Sequence, residues 1–257
     1  MLRPRVIPCL LVKDGGLVKT VGFASPKYVG DPINAVRIFN EKEVDELIVL
    51  DIDATTKGRE PDYMMIEHLA SECRMPLCYG GGVKSVQQAQ RIIAFGVEKI
   101  AISSAAVLNP QLVSDLAECV GAQSVVVVLD VKRAAVPGPY EVWVGNGREN
   151  THLRAAELAA DLEGRGAGEV VVNSIENDGL MSGYDLHLAE EVRSATRGPL
   201  TVMGGAGSLE HIRQLVGALG VVGAAAGSLF VFKGVHKAVL ISYPSRFDLD
   251  ALVPAPA

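Results

Sequence analysis

The chain has 257 residues, 49% apolar and 21% charged, a composition typical of a folded protein with a large core. Its net charge of −6 argues against nucleic acid as the main partner, because phosphate backbones are bound by concentrated Lys and Arg. We expect no membrane association: the apolar run 6–12 is far shorter than the ~20 residues of a membrane-spanning helix, and the N-terminus lacks a signal-peptide pattern.

Short β-branched runs alternate with longer segments of helical periodicity, which is typical of repeated strand–helix–strand units. The predicted strands, in chain order, are residues 5–12, 46–51, 75–79, 98–103, 124–131, 169–174, 200–203 and 221–226. The predicted helices are residues 32–42, 62–72, 85–95, 111–120, 153–165, 186–196, 208–218 and a last one near 235–241. Eight strands and eight helices fit a closed barrel.

A long-period repeat supports this architecture. Gly80, Gly96 and Ser104 recur 124 residues later as Gly204, Gly220 and Ser228. We therefore predict a single α/β domain over residues 1–247, a (β/α)8 TIM barrel built from two duplicated half-barrels, followed by a loosely ordered tail over 248–257. An open doubly wound sheet is the alternative.

The repeated glycines follow predicted strands, and in such barrels the C-terminal ends of the strands carry the active site. Glycine lets backbone N–H groups approach an anion closely, and a following helix N-terminus favours negative charge. Two equivalent sites on opposite sides of the barrel would suit a substrate with a phosphate at each end. The alternative is that these glycines merely form tight turns.

Three carboxylates, Asp51, Asp130 and Asp178, end or follow apolar strands and are candidates for acid–base catalysis. An aspartate at a strand end often only caps the next helix or turn, and this alternative weighs most against Asp51. Asp178 is retained as a weaker candidate than Asp130. Lys19, in the glycine-containing loop 14–30, is a weaker candidate to contact substrate. The position equivalent to Asp130 in the first half is Leu11.

Four charged residues open, or nearly open, four different strands: Arg5, Glu46, Lys99 and Glu169. Charges that enter the bottom of a barrel must pair, because an isolated buried ion is costly. They would then form a ring around the axis. The alternative, four charges facing solvent at the rim, is the one that the residues alone favour.

The cysteines Cys9, Cys73, Cys78 and Cys119 show neither a CxxC pair nor a zinc-type spacing. We expect free, mostly buried thiols, a reducing cytoplasmic location, no structural metal and no cofactor.

Together these segments resemble the cyclase subunit of imidazole glycerol phosphate synthase, the HisF family, over nearly the whole chain. The matching stretches are residues 12–15, 30–32, 45–47, 80–82, 105–107, 109–110, 130–133, 165–169, 178–179, 182–185 and 204–207.

The resemblance implies a barrel that docks a glutaminase on its N-terminal face and passes ammonia along its axis to a phosphorylated substrate at the other face. The charged quartet Arg5, Glu46, Lys99 and Glu169 would be the ammonia gate, and Asp130 one of two catalytic aspartates. The phosphate-binding residues would be Gly81, Gly82, Ser103, Ser104, Gly179, Gly204, Gly205, Gly227 and Ser228.

The chain departs from this family where the second catalytic aspartate should stand, since Leu11 can neither donate nor accept a proton. Ser103, Asn173 and Cys78 are further departures. The pattern resembles a divergent branch of surface-polysaccharide pathways, in which ammonia converts an acetamido sugar to an acetamidino sugar with a separate sugar amidotransferase. Two alternatives stay open: an active imidazole glycerol phosphate synthase cyclase of histidine biosynthesis, and the sister phosphoribosyl isomerase.

Overall fold

The structure is a computed structural model that describes residues 3–135 and 137–252. Its strands are β1 (Arg5–Lys13), β2 (Gly16–Val21), β3 (Ala24–Gly30), β4 (Leu47–Asp51), β5 (Leu77–Gly80), β6 (Lys99–Ile102), β7 (Val125–Arg133), β8 (Tyr140–Val144), β9 (Glu149–Arg154), β10 (Glu169–Ser174), β11 (Leu200–Met203), β12 (Gly223–Ala226), β13 (Phe232–Lys233) and β14 (Ala238–Val239).

The helices alternate with the longer strands. They are α1 (Pro32–Glu41), α2 (Tyr63–Glu72), α3 (Val86–Ala94), α4 (Ser104–Leu108), α5 (Gln111–Val120), α6 (Ala155–Gly164), α7 (Leu186–Ala195), α8 (Leu209–Leu219), α9 (Ser228–Val231) and α10 (Arg246–Asp250). Ser85 and Ser208 cap α3 and α8 with their side chains, as side-chain oxygens at this position commonly do. In the part of the chain that the structure describes, no helix is long and apolar enough to cross a membrane.

Eight parallel strands form a closed sheet. They pair in the order β1, β4, β5, β6, β7, β10, β11, β12, and β12 pairs with β1 again. The predicted (β/α)8 TIM barrel is confirmed, and the open sheet is wrong. In this order β1 and β7 lie on opposite sides of the barrel.

Each half-barrel begins in the same way, with a nine-residue strand followed by an antiparallel hairpin. The hairpin β2–β3 pairs with β1, and the hairpin β8–β9 pairs with β7. The segment 14–30, predicted as a loop, is therefore mostly strand, and Lys19 lies within β2. The duplication therefore includes the hairpin that follows the first strand of each half, which the repeated glycines do not indicate.

Alternation along the strands divides the core into two parts, because successive strand residues point to opposite faces. In β1, Val6 and Leu10 face the helices, whereas Ile7 and Cys9 face the barrel axis. The axial cluster, which we call the interior, consists of Ile7, Cys9, Ile48, Cys78, Ala101, Val126, Val128, Val171, Met203 and Ala225, with Leu11 and Leu50 packed against it.

The predicted helix near 235–241 is wrong. β13 and β14 form a short hairpin there, and Gly234 and Lys237 have positive φ angles of 72° and 48° that a helix cannot contain. A helix forms later instead, α10, whose start at Ser245 has a capping box with Asp248. The last three residues of this helix, 248–250, fall within the predicted tail.

The first residues of the predicted tail belong to the packed structure, since Leu249 and Leu252 are buried in the core. Residues 253–257 lie outside the described residues, and their loose order stays a prediction.

Candidate functional site

A pocket opens at the C-terminal ends of the barrel strands, which we call the mouth. It has a cavity volume of about 150 Å³ and is open to solvent on one side. Of the predicted site residues, Leu11, Lys19, Asp130 and Asp178 line it, as do all of the predicted phosphate-binding residues except Gly82. The topology therefore brings together residues that lie more than 200 positions apart in the chain.

Asp130 is held on both of its carboxylate oxygens. Asn173 donates from Nδ2 to Oδ1 at 2.9 Å, and Ser103 donates from its hydroxyl to Oδ2 at 3.3 Å. Ser103, Asp130 and Asn173 come from β7 and its two neighbours, β6 and β10, so they form one polar wall of the mouth. Burial raises the pKa of Asp130 to about 6, although the hydrogen bonds from Asn173 and Ser103 oppose the rise.

Leu11 faces this wall from the other side of the mouth. It is half-buried, packs against the interior, and lies beside Leu50 of the neighbouring strand in register. The mouth thus has a polar wall around Asp130 and an apolar wall around Leu11. The Leu11 side chain can neither donate nor accept a proton.

Asp178 and Asp51, the other aspartates of the pocket lining, support backbone turns. Asp178 Oδ2 accepts hydrogen bonds from the Thr20 hydroxyl at 2.7 Å and from the Phe23 amide at 3.1 Å, which ties the hairpin β2–β3 to the end of β10. Asp51 Oδ1 accepts from the amides of Asp53 and Ala54 at 3.0 and 3.1 Å. Asp130 is therefore the pocket aspartate that holds no turn.

Lys19 is buried at the mouth, where its ammonium donates to the Cys9 carbonyl oxygen at 2.6 Å. Burial lowers its pKa, while Cys9 and Asp178 oppose the shift. A Cβ at Gly227 would lie 2.3 Å from this ammonium and 3.2 Å from the Cys9 carbonyl oxygen, so a side chain there would push the lysine aside. The structure thus places a cation beside one of the two predicted phosphate-binding sites.

The repeated glycines form tight turns. The equivalent residues Gly81 and Gly205 have φ angles of 120° and 104°, and a Cβ would lie 2.4 Å from the Asp51 carbonyl oxygen and 2.0 Å from the Gly183 carbonyl oxygen, respectively. The turn explanation thus accounts for both glycines whether or not phosphate binds. Gly82 packs behind the pocket against Ala54.

The two short helices α4 and α9 begin at the equivalent serines Ser104 and Ser228, at the mouth. The Ser104 hydroxyl accepts from the Gly145 amide at 3.1 Å, which joins α4 to the turn of the hairpin β8–β9. Backbone N–H groups at these two helix starts are the donors that a phosphate would use.

At the opposite end of the barrel, Arg5, Glu46, Lys99 and Glu169 form a closed charged ring. Arg5 contacts Glu46 at 2.5 Å and Glu169 at 2.7 Å, and Lys99 contacts the same two carboxylates at 2.7 and 2.9 Å. Thr201 adds a hydrogen bond to Glu169 at 2.6 Å. The residues therefore pair with one another instead of lying separately at the rim.

The charged ring is electrostatically balanced. Burial alone would raise the pKa of Glu169, but the hydrogen bond and charge of Arg5, together with Lys99 and Thr201, lower it to about 2. Burial opposes the charged form of Lys99, yet Glu169 and Glu46 raise its pKa. Arg5, Lys99 and Glu169 thus favour their charged forms in this partly buried ring.

A second depression lies directly outside the charged ring, on the N-terminal face of the barrel. Its lining includes Arg3, Arg193 and Arg197 in addition to Arg5 and Lys99, with Glu169 as the acidic residue in the lining. Arg5 and Lys99 are balanced by Glu46 and Glu169, and Arg3 pairs with Asp45, so the basic character of this depression comes from Arg193 and Arg197.

We expect Asp130→Asn to stabilise the protein above pH 6. A carboxyl whose pKa is raised by folding costs stability as the pH rises from about 4 to about 6, so removing the charge should raise the free energy of unfolding by about 1–2 kcal/mol at pH 8 and by nothing at pH 4. Urea unfolding at both pH values measures this, with the exposed Asp115→Asn as the control. An equal effect at both pH values would contradict the prediction.

The chain is similar to known proteins over nearly its whole length. A family model described as histidine biosynthesis protein matches residues 5–236. A protein of Leptospira borgpetersenii that provisionally bears the name imidazole glycerol phosphate synthase subunit HisF is 56% identical over 99% of this chain and all of the relative. A Pseudomonas aeruginosa protein, provisionally named subunit hisF2, is 50% identical over 97% of this chain and 99% of its own length.

A more distant relative carries the name without qualification. The imidazole glycerol phosphate synthase subunit HisF of Streptococcus mutans is 39% identical over 93% of this chain and 94% of its own length. Identity at this level over nearly full-length alignments, on a barrel with the geometry above, shows that the chain belongs to the histidine biosynthesis protein family and, within it, is a homologue of the HisF subunits.

Proposed function

We propose that this chain is the barrel subunit of a glutamine-dependent complex, and that it receives ammonia from a glutaminase and delivers it to an acceptor at the mouth. The observation that carries the proposal is the charged ring at the N-terminal end of the axis. Two cations and two carboxylates at the bottom of a barrel have no role in packing that apolar residues would not serve as well. A gate for a small polar molecule gives them one.

The interior between the charged ring and the mouth suits such a passage. Among its residues are the small side chains Cys9, Cys78, Ala101 and Ala225, and none of its members is charged. Barrel interiors are packed rather than open, so small residues on the axis reduce the movement that a molecule the size of ammonia requires. The basic depression supports docking of the glutaminase on the N-terminal face through an acidic surface.

At the mouth, we propose a phosphorylated small molecule or a sugar as the ligand, held at the two helix starts and by Lys19. Cyclisation in the histidine pathway needs an acid and a base, whereas Leu11 makes one wall of the mouth apolar and Asp51 and Asp178 are occupied in turns. We therefore propose that the ammonia is used for amidation of a sugar in polysaccharide biosynthesis, with a separate sugar amidotransferase.

The second candidate is an active cyclase of histidine biosynthesis. The names of the relatives favour it, because each describes a subunit of imidazole glycerol phosphate synthase. In that case Asp130 would act with Asp178. The sister isomerase is less favoured, because it gives the charged ring no role.

The first test is complex formation with a histidine-type glutaminase from the same organism. We expect a complex at micromolar concentrations and a faster hydrolysis of glutamine. Arg197→Glu, which reverses a charge at the basic depression, should weaken the complex at least tenfold, and Arg213→Glu, exposed on α8, should not. Calorimetry and an ammonia-release assay measure both effects. Absence of a complex with the wild-type chain would overturn the proposal.

A further inference from the structure

Asn173 has one polar atom that the fold leaves without a partner. Its Nδ2 donates to Asp130, and this fixes the orientation of the carboxamide, because an ionised carboxylate can only accept. The other end, Oδ1, is buried and has no hydrogen-bond donor among the described residues. The side chain as a whole is 5% exposed.

A buried acceptor without a donor is costly, and such atoms in native proteins commonly mark the place of a water, an ion or a ligand. The residue lines the pocket at the mouth, but Oδ1 itself is closed to water in the structure, so an occupant would reach it only by displacing neighbouring groups slightly. The cost of leaving Oδ1 unpaired therefore points to an occupant that donates hydrogen bonds.

The position of Asn173 relative to the interior indicates which kind of ligand could bind there. Asn173 and Asp130 each lie two residues after an interior residue, Val171 and Val128, so their side chains leave the same faces of β10 and β7 one layer higher. They are the first polar groups that a molecule moving along the axis from the charged ring would meet on this side of the barrel.

The chemistry of the cluster is that of an acceptor. Asn173 Oδ1 is unpaired, and each Asp130 oxygen, which accepts one hydrogen bond, has a further lone pair. The Ser103 hydroxyl already donates to Asp130. A small ligand with several N–H donors is complementary to this arrangement, and ammonium, which has no lone pair, gains in addition from the charge of Asp130.

We propose that Asn173 and Asp130 form a binding site for ammonium or ammonia at the upper end of the interior. This inference rests on the proposed function, because that function supplies the ligand. It adds the place where the ammonia nitrogen binds before it reacts with the substrate. It also gives a role to Asn173, which is outside the predicted catalytic and phosphate-binding sets.

The test is a titration of the isolated chain, labelled with ¹³C at the side-chain carbonyl carbons of Asn and Asp, at pH 7.5. Ammonium chloride is compared with tetramethylammonium chloride at equal ionic strength, because tetramethylammonium has the same charge and no N–H donor. We expect saturable shifts of the Asn173 and Asp130 resonances with ammonium and none with tetramethylammonium. Equal responses to the two salts, or no response to either, would overturn the site.

Variants then assign the contact. Asn173→Leu, which keeps the volume and removes both hydrogen-bonding groups, should abolish the ammonium-dependent shift at Asp130. Ser103→Ala removes the other partner of Asp130 but leaves Asn173 Oδ1 in place, and it should retain the shift. A shift at Asp130 that persists unchanged in Asn173→Leu would overturn the role of Asn173, and the wild-type comparison stands even if that variant fails to fold.

This experiment contains no glutaminase. If the glutaminase complex forms while ammonium leaves the wild-type spectrum unchanged, the ammonium site fails and the proposed function stands. If ammonium binds but no complex forms, the proposed function fails and the site remains as a property of the barrel.

Discussion

Glu169→Gln is expected to lower the free energy of unfolding at pH 7 by about 2–4 kcal/mol, because it leaves Arg5 and Lys99 with a single carboxylate in a buried ring. Glutamine keeps the shape and the hydrogen-bonding capacity towards Thr201, so the loss reports the charge. Removing one partner of a buried ion pair costs more than the pair itself contributes, since the remaining charge stays desolvated. Urea unfolding followed by circular dichroism measures the difference.

The effect should depend on pH in a direction that follows from the pKa of Glu169. Folding lowers that pKa to about 2 from an ordinary value of about 4.3, so the stabilisation is fully present above about pH 5 and is lost as the pH falls towards 2. The gap between wild type and Glu169→Gln should therefore shrink by more than half between pH 7 and pH 3.

A matched control uses Glu157→Gln in α6, an exposed carboxylate 3.7 Å from Arg154. Surface pairs of this kind contribute little, and we expect a change below about 0.5 kcal/mol at either pH. If Glu169→Gln changes the free energy of unfolding as little as Glu157→Gln does, the charged ring does not stabilise the barrel. Its remaining explanation would then be the passage of ammonia.

The barrel could be predicted from the sequence because the 124-residue repeat and the alternation of strands and helices survive in one dimension. The charged ring could not be predicted from the residues alone, which favour charges facing solvent at the rim, and it was the resemblance to the HisF family that implied it. Arg5 and Glu169 lie 164 residues apart and still meet, because closure brings the N-terminal ends of all eight strands to the same place.

The roles of the individual aspartates could not be predicted in this way. Asp51, Asp130 and Asp178 look alike in the sequence, and what separates them is the set of donors that tertiary structure brings to each. Asp178 is occupied because the hairpin β2–β3 folds back over the mouth to present Thr20 and Phe23. That hairpin lies in a glycine-containing segment that reads as a loop, so its contacts had no signal.

The role of Asn173 could not be predicted from the sequence either. In the sequence, Asn173 is recognisable only as a departure from the family pattern near the upper end of the barrel interior. Nothing in the sequence explains why an amide side chain stands there. The pairing of β10 with β7 sets Asn173 directly beside Asp130, and only this register reveals that one end of the amide is used and the other is not.

If ammonia is used for sugar amidation, as proposed above, Leu11→Asp is expected to create cyclase turnover. Leu11 and Asp130 occupy equivalent positions in the two half-barrels: each stands on the strand that opens its half, next to the hairpin, with Leu11 paired to Val18 and Asp130 to Trp143. Because β1 and β7 lie opposite each other, a carboxylate at position 11 would face Asp130 across the mouth.

The expected gain follows from the size of acid–base catalysis, which contributes about 10²–10⁴-fold. With the bisphosphorylated ribonucleotide of the histidine pathway and excess ammonium, the wild-type chain should form no detectable product, and Leu11→Asp should form it at a measurable rate. Leu11→Asn is the matched control, since it introduces polarity of the same shape without a proton to transfer, and it should stay inactive.

The variant carries a cost that serves as an internal check. Replacing Leu11 removes apolar contact with Leu50 and places a polar group beside the interior, so we expect a loss of about 1–3 kcal/mol in unfolding free energy, shared by Leu11→Asp and Leu11→Asn. A gain of turnover in Leu11→Asp therefore cannot be explained by a more stable protein. Wild-type turnover that Asp130→Asn abolishes would contradict the proposed loss of cyclisation, because it would mean that Asp130 works without a carboxylate opposite it.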